Sequence, residues 1–362
     1  MKRRQLLATS AAALGLAATA GTRGAFAQSP MKVGFIYVGA LGDFGWNYAH
    51  DQARLAAQEY FGGAIETTFV EAVPEGPDAE RVMTQMALSG AQMIFATSFG
   101  YGPAVNAVAA RFPDVAFEHA TGYMQDHPNV SLYNARFHEG RAVIGTIAGR
   151  MTETNKIGYI AAFPIAEVLM GINCAYLHAK KVNPDAEMRV VWAFTWGDPA
   201  LEAAAAEALI DQGCDIIMSH TDSTAPLLVA QERGVHAFGQ ASDMSSFAPE
   251  THLTAIVDNW APYYISRIQE KLDGSWTAGN VWPGLAEGEV LIAPYGPAVP
   301  EEVQAEADAM IAAISSGEYN PFTGPLNKQD GSVWLEEGQA ADDGMLWGMD
   351  FYLEGIEGEI PS

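Results

Sequence analysis

Residues 33–54, VGFIYVGALGDFGWNYAHDQAR, run from an unbroken apolar stretch through three glycines into a helical pattern. Strand, glycine turn and helix is how a parallel α/β fold opens, and the turn after the strand faces the ligand crevice of such a sheet. This turn carries Asp43, Phe44 and Trp46. Its glycines, Gly39, Gly42 and Gly45, follow G-x-x-G-x-x-G spacing and not the dinucleotide pattern, and no Walker lysine follows. Asp43 would meet a pyrophosphate with like charge. The turn is built for something other than phosphate.

Outward from this stretch the chain keeps alternating. KVGFIYV, IETTFVE, QMIFAT, VAFEHA, KIGYIAA, MRVVWAF, DIIMSH, HAFGQA and LTAIVD read as strands, separated by helical stretches of ten to eighteen residues. In WGDPALEAAAAEALIDQGCD, Asp198 suits a helix cap, Pro199 its first turn and Gly213 its end. Apolar strands alternating with helices predict parallel sheets covered on both faces. MIFATSFGYGPAVNAVAARFPDVAFEHATG and IIMSHTDSTAPLLVAQERGVHAFGQASD repeat one plan of strand, polar turn, proline, helix and strand. That echo predicts two similar lobes.

The ends and the charge narrow the class. Residues 1–27 combine a basic MKRRQLL, a short apolar stretch and Ala25-Phe26-Ala27, the pattern of an export signal cleaved near Ala27. Arg3 and Arg4 leave Sec and Tat export both open. The remainder has 15 basic against 44 acidic residues, a formal charge of −29. Such a chain repels nucleic acid and anionic lipid. No cysteine follows the cleavage site, so no lipid anchor is expected there. Cys174 and Cys214 show no metal-ligand spacing and read as two buried thiols, with a disulfide between them left open.

The turns after the strands hold the candidate site: Asp43, Phe44 and Trp46, then Ser98 and Phe99, then Thr121. The second half adds Phe163 with Glu167, Trp196, and Thr221 with Asp222, and later strands end at Asp243 and Asp258. The set is aromatic and hydrogen-bonding, with almost no positive charge. G-x-S-x-G and H-E-x-x-H are missing. His220 with Asp222, and Glu118 with His119, lack a nucleophile or metal beside them and read as structural or binding groups. No cofactor, metal or catalytic role is expected.

Together these features resemble a periplasmic substrate-binding protein of an ABC transporter, and within that class the basic membrane protein family of purine nucleoside-binding components. GDFGWNYAHDQAR is similar to that family's D-x-x-[FW]-N element, YNARFHEGRAVIGTIAGRM to its glutamate-to-alanine helix, and FTWGDPALEAAAAEALIDQGCDII to its aromatic-x-D-P element. FGQASDM and LTAIVDNW match later strand ends, and GIEGEIP the finish, so the resemblance spans about Val33 to Pro361.

The resemblance implies a type I periplasmic-binding-protein fold, two lobes joined by a hinge that close on the ligand. The expected division is 30–134 with 246–285, then 135–245 with 286–325, with 326–362 a tail packed on a lobe. It also implies that Asp43 recognises the base and that Trp46 and Trp196 stack on it. Family positions that hold ribose fall on Ala241 and Asp258, both changed, although Asp243 lies near enough to replace Ala241. A free purine base such as adenine is the expected ligand, and membrane permease subunits the expected partner of a monomer. A nucleoside or riboflavin-like carrier, a sensory protein presenting the closed form to a receptor kinase, and a purine enzyme are the alternatives.

Overall fold

The opening strand, β1 (Met31–Ile36), has Val33, Phe35 and Ile36 wholly buried, so both faces of its sheet are covered. A computed structural model of the chain describes residues 29–361. The export signal expected over 1–27 lies outside the described residues.

After β1 come α1 (Trp46–Phe61), β2 (Ile65–Val70), α2 (Pro77–Leu88) and β3 (Met93–Ala96). Then follow α3 (Gly102–Ala109), β4 (Ala116–Ala120) and β5 (Val130–Tyr133). The second half begins with α4 (Phe137–Met151), β6 (Lys156–Ala161), α5 (Ala166–Val182) and β7 (Glu187–Trp192). It continues through α6 (Pro199–Asp211), β8 (Ile216–Ser219), α7 (Ala225–Arg233), β9 (His236–Gly239) and β10 (His252–Asp258). The chain then runs α8 (Ala261–Asp273), β11 (Asn280–Val281), β12 (Val290–Ile292) and α9 (Glu301–Ser315). It finishes with β13 (Leu326–Asn327), β14 (Val333–Leu335) and α10 (Asp343–Trp347).

Two six-stranded sheets result, in the orders β11-β5-β4-β3-β1-β2 and β12-β10-β9-β8-β6-β7. These orders are equivalent place for place, and the two echoing segments occupy the same positions, β3-α3-β4 and β8-α7-β9. Within these two sheets the strand pairs are parallel except β10 with β12, and β13 with β14 forms a separate antiparallel pair. The α6 punctuation works as the sequence predicts: Asp198 accepts from the amides of Ala200 and Leu201 at 2.9 and 3.1 Å, and Gly213 takes φ +90°.

One expected boundary is corrected. Residues 246–285 do not all belong to the first lobe, because β10 pairs with β9 and β12 in the second sheet. A fully apolar strand carries no mark of which sheet it joins; its neighbours decide. The chain therefore crosses between lobes near residues 134–136, 259–260 and 282–289. The crossing segments bind one another: Asn134 N donates to Val281 O at 3.0 Å, Arg136 N to Pro283 O at 2.8 Å, and Asn259 N to Glu289 O at 2.9 Å. The four-residue strand β5, buried along its whole length, is too short for the sequence pattern to single out.

Residues beyond 325 lie on the second lobe. Asn173 of α5 donates to Phe351 O at 2.8 Å and accepts from Leu353 N at 2.8 Å, and Leu335, Tyr352 and Leu353 are buried. Cys174 and Cys214 are free, buried thiols in different core clusters. Among the described residues no helix is long and apolar enough to cross a membrane.

The second lobe depends on the close approach of α4 to α5. A Cβ on Gly145 would lie 2.4 Å from Ala175 O, and one on Gly149 2.6 Å from Ala179 O. Backbone cannot yield as a side-chain tip does. Gly149→Val is expected to lower stability by about 1–3 kcal/mol, read as a shift in the urea midpoint of unfolding. An unchanged midpoint would mean that the two helices can separate without cost.

Candidate functional site

The carboxyl ends of β1, β3 and β4 face those of β6, β8 and β9 across the space between the lobes, and a cavity lies there with about 60 Å³ of water-accessible space. The first lobe supplies Trp46, Ser98, Phe99 and Thr121 to its wall, and the second lobe supplies Trp196 and Asp222. Six expected residues thus meet in one chamber. An outer cleft shares Val38, Trp196 and Asp222 with it, and Asp43, Phe44 and Phe163 line that cleft only.

Asp43 therefore differs from expectation. It is exposed at the mouth, while the acids on the inner wall are Glu167 and Asp222. Gly45, at φ +92°, reverses the chain just before α1, so the residue after it turns inward and those before it stay outside. Asp243 lines neither cavity: it is exposed and accepts from Ser245 N at 2.9 Å. Asp258 is buried behind the inner wall, with no hydrogen-bond partner on either carboxylate oxygen. Burial first, then the nearby Glu167 and Asp222, pushes its carboxyl well above the usual range, against a lowering by Arg141.

Trp46 is rigidly held. Its Nε1 donates to Thr97 O at 2.8 Å, and its ring meets His50 and Trp260 edge-on at 4.4 and 5.6 Å between centroids. His50 in turn stacks on Trp260 at 4.9 Å and 9° and pairs with Tyr264 at 2.5 Å. This aromatic support has no sequence signature, because its members come from two helices more than 200 residues apart. Trp196 is held more lightly, tilted against Phe163 at 5.0 Å.

Glu167 and His220 face the cavity as a pair. Glu167 accepts from Asn134 Nδ2 at 2.9 Å and lies 3.5 Å from His220 Nε2, while His220 Nδ1 pairs with the Tyr159 hydroxyl at 3.0 Å. Burial lowers the pKa of His220. Among the described residues no group of three acids, histidines or cysteines could hold a metal.

The lobes are closed on each other. Phe44 meets Phe247 edge-on at 4.7 Å, and Gly45 N donates to Ser242 Oγ at 2.8 Å. Asp222 receives Trp46 N on one carboxylate oxygen and Asn47 Nδ2 on the other, the latter at 2.9 Å. Expected as a ligand contact, Asp222 is thus also a latch that ties the second lobe to the start of α1.

Two equivalent parallel-sheet lobes, three crossings and a closed cavity between strand ends define a type I periplasmic-binding-protein fold. An ABC transporter solute-binding protein from Aeropyrum pernix has the same fold, with a TM-score of 0.70 at 19% identity over 83% of this chain and 93% of its own. One from Conexibacter woesei gives 0.64 at 21%, over 80% and 98%. The model of the Bmp family, described as ABC transporter substrate-binding protein PnrA-like, matches residues 31–323. The chain belongs to that family. It is 54% identical to a purine-binding protein of Brucella abortus over 93% of this chain and 96% of that one. It is 38% identical to a putative ABC transporter glucose-binding protein of Haloferax volcanii, over 92% and 82%. As a member it is a substrate-binding protein, a class that takes small molecules and works with permease subunits.

Proposed function

We propose that this protein captures a free purine base, adenine above all, outside the cytoplasm and delivers it to the permease of its ABC transporter. The observation that carries the reading is one cavity walled by Trp46 and Trp196 from opposite lobes. Two such rings suit the faces of a flat heterocycle, and burying both faces drives closure. The inner cavity is small, with about 60 Å³ of water-accessible space, which favours a base over a base with its sugar as the inner occupant. Ala241, which lines the same cavity, offers a methyl where the family's ribose clamp would reach in. The name of the Brucella relative agrees with a purine.

A thermal-shift panel tests this, with adenine, guanine, hypoxanthine, adenosine, guanosine, riboflavin and glucose on the protein lacking residues 1–27. Stabilisation follows RT ln(1 + [L]/Kd), about 2.7 kcal/mol at a hundredfold excess over Kd. Adenine is expected to stabilise strongly and adenosine little. A larger response to a nucleoside would transfer the reading to that ligand, and a response to glucose alone would remove the purine.

Closure should also depend on pH. Between the closed lobes burial, with Glu202 adding to it, pushes the Asp222 carboxyl from 3.8 to about 7 against the pull of Trp46 and Asn47. Opening returns it to water and to its ordinary value, so closure takes up a proton. An acid raised in the closed form favours closure at low pH, and the advantage is lost as pH rises through about 7. Adenine affinity is expected to fall about tenfold from pH 6 to pH 8, with Asp222→Asn flattening the profile. A flat profile in the unaltered protein would show that Asp222 is not dehydrated by closure.

A further inference from the structure

Ser98 and Gln240 reach the inner cavity from different lobes, and each is tied to a charged residue that is not on its wall. The Ser98 hydroxyl donates to Glu75 Oε1 at 2.6 Å, and the same oxygen accepts from Gly100 N at 2.9 Å. Glu75 is exposed in the loop after β2. Its approach requires Gly100, since a Cβ there would lie 2.2 Å from the Glu75 carboxylate carbon. A hydroxyl has one proton and two lone pairs. With the proton committed outward to Glu75, Ser98 has only lone pairs for the cavity. Thr121 beside it is in the same condition, because its hydroxyl donates to Ala120 O at 2.8 Å.

Gln240 is set the other way. Its Oε1 accepts from Arg141 Nη2 at 2.5 Å, and Arg141 is buried, donating also to Ser219 O at 2.9 Å. Arginine only donates, so this contact decides which end of the amide is oxygen. The Nε2 donor is left for the ligand.

We infer that Glu75 is a positioning residue that makes Ser98 an acceptor, as Arg141 makes Gln240 a donor, so that the two lobes read opposite edges of the bound base. The edge toward the first lobe must carry N–H and the edge toward Gln240 a lone pair. The inference rests on the purine reading and names the pattern that selects among purines. Adenine meets it, with N–H on its exocyclic amine and imidazole ring and bare ring nitrogens between them.

Calorimetric titration of the intact protein with adenine, N6,N6-dimethyladenine, 9-methyladenine and unsubstituted purine tests this. At least one analogue lacking an adenine N–H is expected to bind about tenfold or more weakly than adenine. Glu75→Ala frees the Ser98 proton to turn inward, and that discrimination should shrink by about threefold or more, with Thr121 still an acceptor. Glu75→Gln, whose carbonyl still accepts from Ser98, should keep it. Unchanged ratios in Glu75→Ala would overturn the inference and leave the purine reading intact. Should Glu75→Ala fail to fold by thermal melt, Ser98→Ala decides in its place: loss of the discrimination supports the inference and its retention overturns it. No binding of any purine by the unaltered protein would overturn both.

Discussion

Gly45→Ala is expected to weaken adenine binding by two orders of magnitude or more while both lobes remain folded. The added Cβ would stand 2.2 Å from Asp222 Oδ1 and 2.4 Å from Asp222 O, and Gly45 sits at φ +92°, where an L side chain is strained. Such strain costs about 1–3 kcal/mol, but the clash belongs to the closed form alone, because Asp222 is on the other lobe. Opening the lobes relieves it. The ligand then has to close a structure that resists, and its affinity falls by the cost of that resistance. Circular dichroism should remain that of the folded protein while calorimetry records the lost affinity. The partner variant checks the cause. Asp222→Ala removes two hydrogen bonds across the closed lobes and is expected to cost about 1–3 kcal/mol, roughly five- to 150-fold in Kd. It removes only the side-chain part of the clash, because the backbone Asp222 O still lies 2.4 Å from the added Cβ, so the double variant should be somewhat less impaired than the two single effects added but remain far weaker than the unaltered protein. Unaltered binding by Gly45→Ala would mean that the ligand is held in a form without this latch.

Removing either stacking ring is the second large effect. Trp196→Ala is expected to weaken adenine binding by about 1–3 kcal/mol, roughly five- to 150-fold, with the melting temperature of the empty protein little changed. Trp196 is half-buried in a loop at the edge of the core, tilted against Phe163. Trp46→Ala should lose as much affinity and also lower the melting temperature of the empty protein. Its ring closes the cluster of His50 and Trp260, and Thr97 O loses its donor. Trp46→Phe, which keeps a stacking face, should recover most of the binding. If Trp196→Ala binds adenine as the unaltered protein does, the base is not sandwiched between lobes and the proposed pose is wrong.

Much of the fold was legible in the residues, for local reasons. Apolar strands too short to span anything, each followed by a capped helix, specify βαβ units; Asp198, Pro199 and Gly213 mark one helix at both ends. The echo between residues 93–122 and 216–243 specified two lobes of one topology. Trp46 and Trp196 could be picked out because each sits in a turn after a strand, where parallel sheets open to ligands.

Other features had no local mark. The strand 252–258 is apolar on both faces and would suit either sheet; only pairing with β9 and β12 assigns it to the second. Asp43 reads as the family's base-recognising acid, yet the reversal at Gly45 leaves it at the mouth. Glu75 is an ordinary loop acid until β3 brings Ser98 within 2.6 Å of it.

Alternation, caps and composition, which act over a few residues, determined by themselves that this is an acidic two-lobed α/β protein with aromatic turns at its strand ends. What each acid does was decided by tertiary structure. Asp222 became a latch because lobe closure sets it against the amide of Trp46, 176 residues away, and Asp258 came to lie behind the cavity because its strand joined the second sheet. A side chain's type is local, but the burial and partners that give it a function arise only when distant segments pack.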